Sequence, residues 1–297
     1  MRTPIFQGSA VAIVTPFRDG TVDTDTLAFL CERQVRGGTQ AIVVAGTTGE
    51  ASTMPDEEHL AAIRCVVEAV DGRVPVIAGT GSNDTRHAVF LTAEAESIGA
   101  DAILSVTPYY NKASQRGLIR HFSDIAAATS LPVLLYNVPS RTGVNIAPET
   151  AAALSRVPNI VGLKECNLLQ AAEVAHLCGD DFFLYSGEDG HVLPLLSLGG
   201  QGVISVMANL IPEDVQRMVA AWFAGDVVTA RRIQLATVPL VKALFCDVNP
   251  IPVKAALNLM GLDVGACRMP LCDLSESGLS QVRSALAAYG LPLVEGA

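Results

Sequence analysis

The chain has 297 residues, half of them hydrophobic and 17% charged, with a formal net charge of −10 at pH 7. This length fits one large domain, or one with an appendage, around an ample core. The acidic excess argues against nucleic acid or an anionic membrane surface as a partner, and it requires any carboxylate substrate to be drawn in by local cations and donors.

The seven cysteines, at 31, 65, 166, 178, 246, 267 and 272, are odd in number and lack C-x-x-C spacing. They read as small buried hydrophobes of a reducing compartment, not as a disulfide frame or a zinc site. Met1–Gln7 holds no signal-peptide h-region and no apolar run approaches a membrane span, so a cytoplasmic protein is expected.

In chain order, eight short apolar runs recur: Ala10–Val14, Ala41–Ala45, Pro75–Ala78, Ala102–Val106, Pro132–Tyr136, Ile160–Lys164, Phe182–Tyr185 and Gly202–Val206. They lack clean alternation, as expected of parallel strands covered on both faces. Helical periodicity fills the gaps. Leu27, Leu30, Cys31 and Gln34 follow an Asp-rich first turn, and Leu60, Ile63, Val67 and Val70 follow the helix-start signal Pro55-Asp56-Glu57-Glu58. Asp84–Ile98, Ser114–Thr129, Pro148–Arg156, Leu168–Leu177, Gly190–Leu198 and Pro212–Ala224 behave alike. Eight strand–helix units in this span predict an α/β fold, the (β/α)₈ TIM barrel, over residues 1–225. The competing open doubly wound sheet would want a Gly-rich phosphate-binding first turn, and Val14-Thr15-Pro16-Phe17 is not one. From Asp226 the strand signals stop. Val228–Phe245, Pro252–Met260 and Ser277–Tyr289 read as helices, so residues 226–297 form a predicted C-terminal helical domain.

Barrel sites lie where strands end. The strand ends carry Thr15-Pro16, Gly46-Thr47-Thr48-Gly49-Glu50, Gly79-Thr80-Gly81-Ser82-Asn83, Thr107-Pro108-Tyr109-Tyr110, Tyr136-Asn137-Val138-Pro139-Ser140-Arg141, Lys164-Glu165, Ser186-Gly187-Glu188 and Met207-Ala208-Asn209. Hydroxyls dominate, with one lysine and one arginine. That set suits binding a small anion and moving protons, and it lacks the His and carboxylate cluster of a metal site. The run Ile160-Val161-Gly162-Leu163-Lys164-Glu165, read as a strand, puts Ile160, Gly162 and Lys164 on one face, with Gly162 leaving space below the amine. Burial there favours a neutral amine, which is a nucleophile toward ketones. Tyr136 ends the fifth strand and Lys164 the sixth, so the two should be neighbours across one interstrand spacing of about 4.8 Å. The Gly46-Thr47-Thr48-Gly49 turn offers hydroxyls and backbone N–H groups to a carboxylate.

Those motifs, together with Thr107-Pro108-Tyr109-Tyr110-Asn111, Val138-Pro139-Ser140-Arg141-Thr142-Gly143, Gly202-Val203-Ile204-Ser205-Val206 and Asn249-Pro250-Ile251-Pro252-Val253-Lys254, occur in one order along the chain. In this the chain resembles the pyruvate-dependent class I aldolase superfamily over essentially its whole length, and within it the dihydrodipicolinate synthase family. The Thr47-Thr48 pair and Arg141 separate it from the sialic-acid lyase branch. The resemblance implies a carbon–oxygen lyase of lysine (diaminopimelate) biosynthesis, condensing pyruvate with L-aspartate-4-semialdehyde through a Schiff base. It implies neither cofactor nor metal, and a homotetramer built as a dimer of dimers. By the same resemblance Lys164 forms the Schiff base, and Tyr136, Thr47 and Tyr110 form a proton relay, Tyr110 reaching in from a neighbouring subunit. Thr48 holds the pyruvate carboxylate, Arg141 receives the carboxylate of the second substrate, and main-chain groups at Gly187 and Ile204 line the pocket. Asn249-Pro250-Ile251-Pro252 is read as a Pro-fixed turn into a helix, with no chemistry assigned.

Two departures from the family pattern stand out. After Lys164 the family commonly runs Glu-Ala, then Thr or Ser, Gly, and Asp or Asn, whereas this chain has the shortened Glu165-Cys166-Asn167-Leu168. At the lysine-effector cleft of inhibited members, Ser52, His59, Asn83 and Tyr109 are compatible. His87, however, stands where a glutamate would meet the effector's ammonium, and Asp56 where a histidine is usual. Losing a charge-assisted hydrogen bond, worth roughly 1.5–3 kcal/mol, predicts weak or absent inhibition by lysine. The rival readings are another pyruvate aldolase of the superfamily acting on a sugar acid or hydroxy-oxo-acid, a catalytically silent pyruvate-binding barrel, and a pyridoxal-phosphate barrel.

Overall fold

The computed structural model describes residues 2–294. Eight parallel strands close into a barrel: β1 (Gly8–Ala12), β2 (Ala41–Val44), β3 (Val76–Gly79), β4 (Ala102–Val106), β5 (Val133–Asn137), β6 (Ile160–Glu165), β7 (Phe183–Ser186) and β8 (Gly202–Ser205). Each pairs with its sequence neighbour, and β8 returns to β1. The eight predicted runs are these strands within two residues. A two-stranded hairpin at Phe17–Arg18 and Thr21–Val22 follows β1.

The helices between strands are α1 (Thr24–Arg36), α2 (Asp56–Val70), α3 (Thr85–Ile98), α4 (Gln115–Ala127), α5 (Pro148–Leu154), α6 (Leu168–Cys178), α7 (Val192–Leu196) and α8 (Pro212–Phe223). Local chemistry sets their starts. The Asp23, Asp84 and Ser114 side chains accept backbone N–H groups of the first turns of α1, α3 and α4, satisfying donors that a helix leaves unpaired. In α1 the four expected positions, Leu27, Leu30, Cys31 and Gln34, are the buried stripe. In α2 the stripe is rotated slightly from expectation: His59, Ala62, Ile63, Val66 and Val70 are buried, while Leu60 and Val67 lie at its margin.

Two apolar layers result. Val11, Ile42, Val44, Ile103, Leu135, Ile160 and Leu163 face outward into the helix ring. Ala10, Ala12, Val43, Ile77, Leu104, Leu134, Tyr136, Val161, Phe183, Tyr185 and Ile204 fill the barrel. The N-terminal end of the barrel is plugged by Phe6, whose ring stacks on Tyr185 at 4.4 Å and whose carbonyl accepts the Tyr185 hydroxyl at 2.8 Å. Such a stack adds about 0.5–1.5 kcal/mol beyond area burial.

The simple alternation expected along β6 fails at its start. Val133 pairs with Ile160 but Leu134 pairs with Gly162, a bulge that turns Val161 into the barrel and Ile160 outward with Leu163. Lys164 is unaffected, being beyond the bulge. Gly162 also serves differently from expectation. A Cβ there would lie 2.2 Å from Phe183 O and 3.0 Å from Leu134 Cδ2, so the glycine permits the close approach of β7 and opens no space beneath the amine.

The tail is helical: α9 (Val227–Ala236), α10 (Val238–Leu244), α11 (Ile251–Leu259) and α12 (Glu276–Tyr289). The single helix expected over Val228–Phe245 is divided at Thr237, because Pro239 has no N–H to continue the ladder and its ring crowds the preceding turn. Buried Lys254 of α11 donates to Glu50 Oε1 at 2.9 Å, Thr15 O at 3.1 Å and Ala266 O at 2.8 Å, clamping the tail to the mouth of the barrel. None of the described helices is long and apolar enough to cross a membrane.

Candidate active site

A cavity of about 600 Å³ occupies the open mouth, lined by Thr47, Thr48, Tyr136, Arg141, Lys164 and Gly187 among others. Parallel pairing places its centre. Tyr136 and Lys164 are register partners, and Lys164 Nζ stands 4.3 Å from the centroid of the Tyr136 ring. Lys164 is 5% exposed. Burial pushes its pKa below the ordinary lysine value, opposed by Cys166, Glu188 and Asp189 and aided by the Arg141 cation. Among the described residues no oxygen holds Nζ in a hydrogen bond, so its lone pair is free for attack once the proton is lost.

Tyr136 is equally enclosed, and burial raises its phenol pKa, while the Thr47 hydroxyl in front of it and Arg141 pull the other way. The phenol therefore stays protonated at neutral pH and can pass its proton only in exchange for another. Thr48 is 3% exposed, and its Oγ1 accepts Asn249 Nδ2 at 3.0 Å. That acceptance leaves the Thr48 O–H as a donor toward the cavity. Arg141 lies on the short helix Pro139–Thr142 after β5, and its Nη2 donates to Asn249 O at 3.2 Å. One asparagine of the tail thus orients the hydroxyl on one wall and the guanidinium on another.

A buried polar frame holds the ends of β5 and β6. The Glu165 carboxylate points away from the cavity and accepts Asn137 Nδ2 at 2.9 Å, Asn167 N at 2.7 Å and Gln170 Nε2 at 2.8 Å. Burial raises its pKa in spite of those donors. The Asp189 Oδ2 accepts the backbone N–H groups of Val206 and Met207 at 3.1 and 2.9 Å, fixing the end of β8.

The structure thus gathers Lys164, Tyr136, Thr47, Thr48, Arg141 and Gly187 around one cavity. Ile204, and Tyr110, which was expected to reach in from a neighbouring subunit, do not line it. Tyr110 is 88% exposed with φ 73° and points away from this chain's own cavity, because the left-handed turn after β4 directs it outward. Ile204 is fully buried inside the barrel, paired with Ala10, and the residue on the cavity wall here is Val206, just past the end of β8.

A second cavity of about 420 Å³ shares the wall of Thr47, Tyr136 and Arg141 and is lined on its far side by Ser52, Asp56, His59, His87 and Tyr109. Asn83, expected there, is replaced on the lining by Ser82, and its carbonyl accepts Asn111 Nδ2 at 2.9 Å. His87 Nε2 meets Asp56 Oδ1 at 2.8 Å, so the two departures from the family pattern pair with one another across α2 and α3. His59 is buried, its Nε2 on Gly79 O at 2.8 Å, and burial lowers its pKa.

Sequence reasoning missed Asn249 and Lys254. Both stand in the Asn249–Lys254 motif, and the usable signal was a polar residue and a charge flanking an apolar Pro-fixed helix start.

The family model described as the dihydrodipicolinate synthetase family matches residues 5–289. A 4-hydroxy-tetrahydrodipicolinate synthase of Acetivibrio thermocellus is 57% identical over 98% of this chain and 100% of its own length. The crystal structure of dihydrodipicolinate synthase from Aquifex aeolicus superimposes with a TM-score of 0.95 at 44% identity, covering 97% of this chain and 99% of that one. DHDPS from Cyanidioschyzon merolae, solved with lysine bound, gives a TM-score of 0.95 at 44% identity over 98% of this chain and 100% of that one.

Proposed function

The chain belongs to the dihydrodipicolinate synthetase family, and from that premise we propose how its own residues carry out the 4-hydroxy-tetrahydrodipicolinate synthase reaction. It is a lyase of the Schiff-base kind, joining pyruvate to L-aspartate-4-semialdehyde. The observation that carries the reading is the enclosed Lys164 amine, its charge disfavoured by burial, set on the face of Tyr136 between a threonine pair and an arginine.

Neutral Lys164 Nζ adds to the keto carbon of pyruvate, and the C=O electron pair becomes a hydroxyl by taking a proton. Loss of that hydroxyl as water gives a protonated imine. The imine draws electrons from the adjacent C–H bond, so a methyl proton leaves and an enamine forms. The enamine carbon bonds to the aldehyde carbon of the semialdehyde, whose oxygen takes up a proton. The amine of that substrate then attacks the imine carbon, closing a six-membered ring and releasing Lys164.

Tyr136 and Thr47 are suited to hand protons to and from the carbinolamine oxygen, because the phenol stays protonated and faces a hydroxyl that can give and accept. Thr48, oriented by Asn249, donates to the pyruvate carboxylate, with backbone at Gly187 on the opposite side. Arg141 receives the carboxylate of the second substrate, supplying the local cation that the acidic chain requires. The exposed Tyr110 completes the relay in a neighbouring subunit of a homotetramer, a role supported by its exposure on the turn after β4. We assign residues 1–225 to the catalytic barrel and 226–297 to a helical domain that carries Asn249. At the neighbouring cleft, Asp56 is already engaged by His87, which supports weak inhibition by lysine.

The test is reduction with borohydride in the presence of pyruvate. A covalent adduct on Lys164 is expected, with none in Lys164→Ala. Turnover with aspartate semialdehyde but not with sugar acids completes the assignment, and an unlabelled Lys164 would sink it.

A further inference from the structure

Cys166 stands beside the amine, and the reaction above does not use it. Its position follows from the shortened run after Lys164. Cys166 N still bonds Asn137 O at 3.1 Å, so the residue prolongs the strand edge, and α6 begins only two residues later. The side chain is thereby brought over Gly187. A Cβ built there would lie 2.3 Å from Cys166 Sγ and 3.2 Å from Lys164 Cε, so the thiol and the lysine stem converge on the same glycine. Any side chain at 187 would displace one of them. Burial first, and the Glu188 carboxylate with it, raise the thiol pKa against the pull of Lys164, and Glu188 also lines the cavity.

We propose that Cys166 is a positioning residue for Schiff-base formation: its S–H engages the Glu188 carboxylate and its sulfur fills the space beside the Lys164 stem, which together keep that carboxylate and water off the amine. The inference rests on the Schiff-base reading and deepens it. The thiol is protonated, since burial pushes its pKa up to about 12, so it acts as a neutral donor and filler and not as a nucleophile. The charged and titratable groups around the amine are Tyr136 from β5, Arg141 from the helix after it, and Cys166, Glu188 and Asp189 from the ends of β6 and β7. Arg141 opposes the ammonium, and Asp189 is held by the backbone just past β8. Glu188 is the carboxylate with freedom to approach.

Two consequences of removing the thiol have the same sign. In Cys166→Ala the space beside the lysine stem admits water, and Glu188 loses a donor and turns toward the amine; each favours ammonium. The experiment measures the rate of pyruvate-dependent borohydride trapping on Lys164 against pH, in the full chain. In Cys166→Ala the acid limb is expected to move to higher pH by about one unit, a roughly tenfold slower trapping on that limb. Cys166→Ser, which restores a donor, returns the limb most of the way. Glu188→Gln, which removes the anion, moves it to lower pH. An unmoved limb in Cys166→Ala, or a Ser variant no different from Ala, overturns the proposal. Trapping that fails in the wild-type protein would instead refute the Schiff-base reading itself, so the two failures are distinct. Circular dichroism and the Ser variant guard against a folding artefact.

Discussion

Replacing Lys254 by methionine would test whether the tail organises the threonine turn. Lys254 and Glu50 have side chains 2% and 0% exposed, and the ammonium makes three hydrogen bonds, one to the carboxylate and two to backbone carbonyls. It also lies 4.5 Å from the centroid of the Phe17 ring. Methionine matches the stem and keeps the packing, so what is lost is the charge and its donors. The Glu50 carboxylate would be left with the Arg268 N–H at 2.8 Å as its remaining strong donor, and Thr15 O and Ala266 O would each lose a donor. Breaking a buried pair from one side costs about 3–5 kcal/mol, because the surviving charge is stranded away from water. With m of about 3 kcal/mol/M, the urea midpoint of Lys254→Met should fall by about 1–1.7 M. Glu50 follows Thr47-Thr48-Gly49 directly, so kcat/KM for pyruvate should fall with it. The double variant E50Q/K254M removes the stranded charge and should recover at least half of the lost midpoint. A shift under about 0.3 M in the single variant, or a double variant no more stable than the single one, would refute the reasoning.

Asn249→Ala removes one hydrogen bond to Thr48 but leaves the backbone acceptor of Arg141, so KM for pyruvate should rise roughly two- to tenfold while KM for the semialdehyde changes little; steady-state kinetics with each substrate varied decides. Burial holds the pKa of Lys164 below 10.5 in the fold, so between that lowered value and 10.5 the unfolded chain binds the extra proton and stability rises with pH. Lys164→Met should therefore be inactive yet more stable at neutral pH, by about 1.4 kcal/mol per unit of depression, with the difference shrinking as the pH nears 10.5; denaturation across that range measures it. If Tyr110 serves a neighbour's cavity, mixing Tyr110→Phe with Lys164→Ala should rebuild complete sites in hybrid dimers, up to about a quarter of all sites, from two nearly inactive parents. Activity no greater than the parents' sum would place the tyrosine's role elsewhere.

The barrel was legible because buried parallel strands must be apolar on both faces, which writes each of them as a short continuous run such as Ala102–Val106. Lys164 was legible for the opposite reason: a charge inside such a run needs a chemical explanation, and its neighbour across the sheet, Tyr136, follows from strand order alone. The amino-acid order by itself thus determined the fold, the place of the buried lysine and the hydroxyl-rich mouth, since each is written in local periodicity or at a strand end. Only the tertiary structure decided which way the start of β6 faces, because one bulge reverses Ile160 and Val161 without any change in composition. It alone joined Asn249 to Thr48 and Lys254 to Glu50, contacts that span 201 and 204 residues, and set Cys166 over Gly187. Partners that distant share no periodicity. They meet because the closed barrel gives the tail one mouth to cover, and the buried polar groups there must find one another or go unpaired.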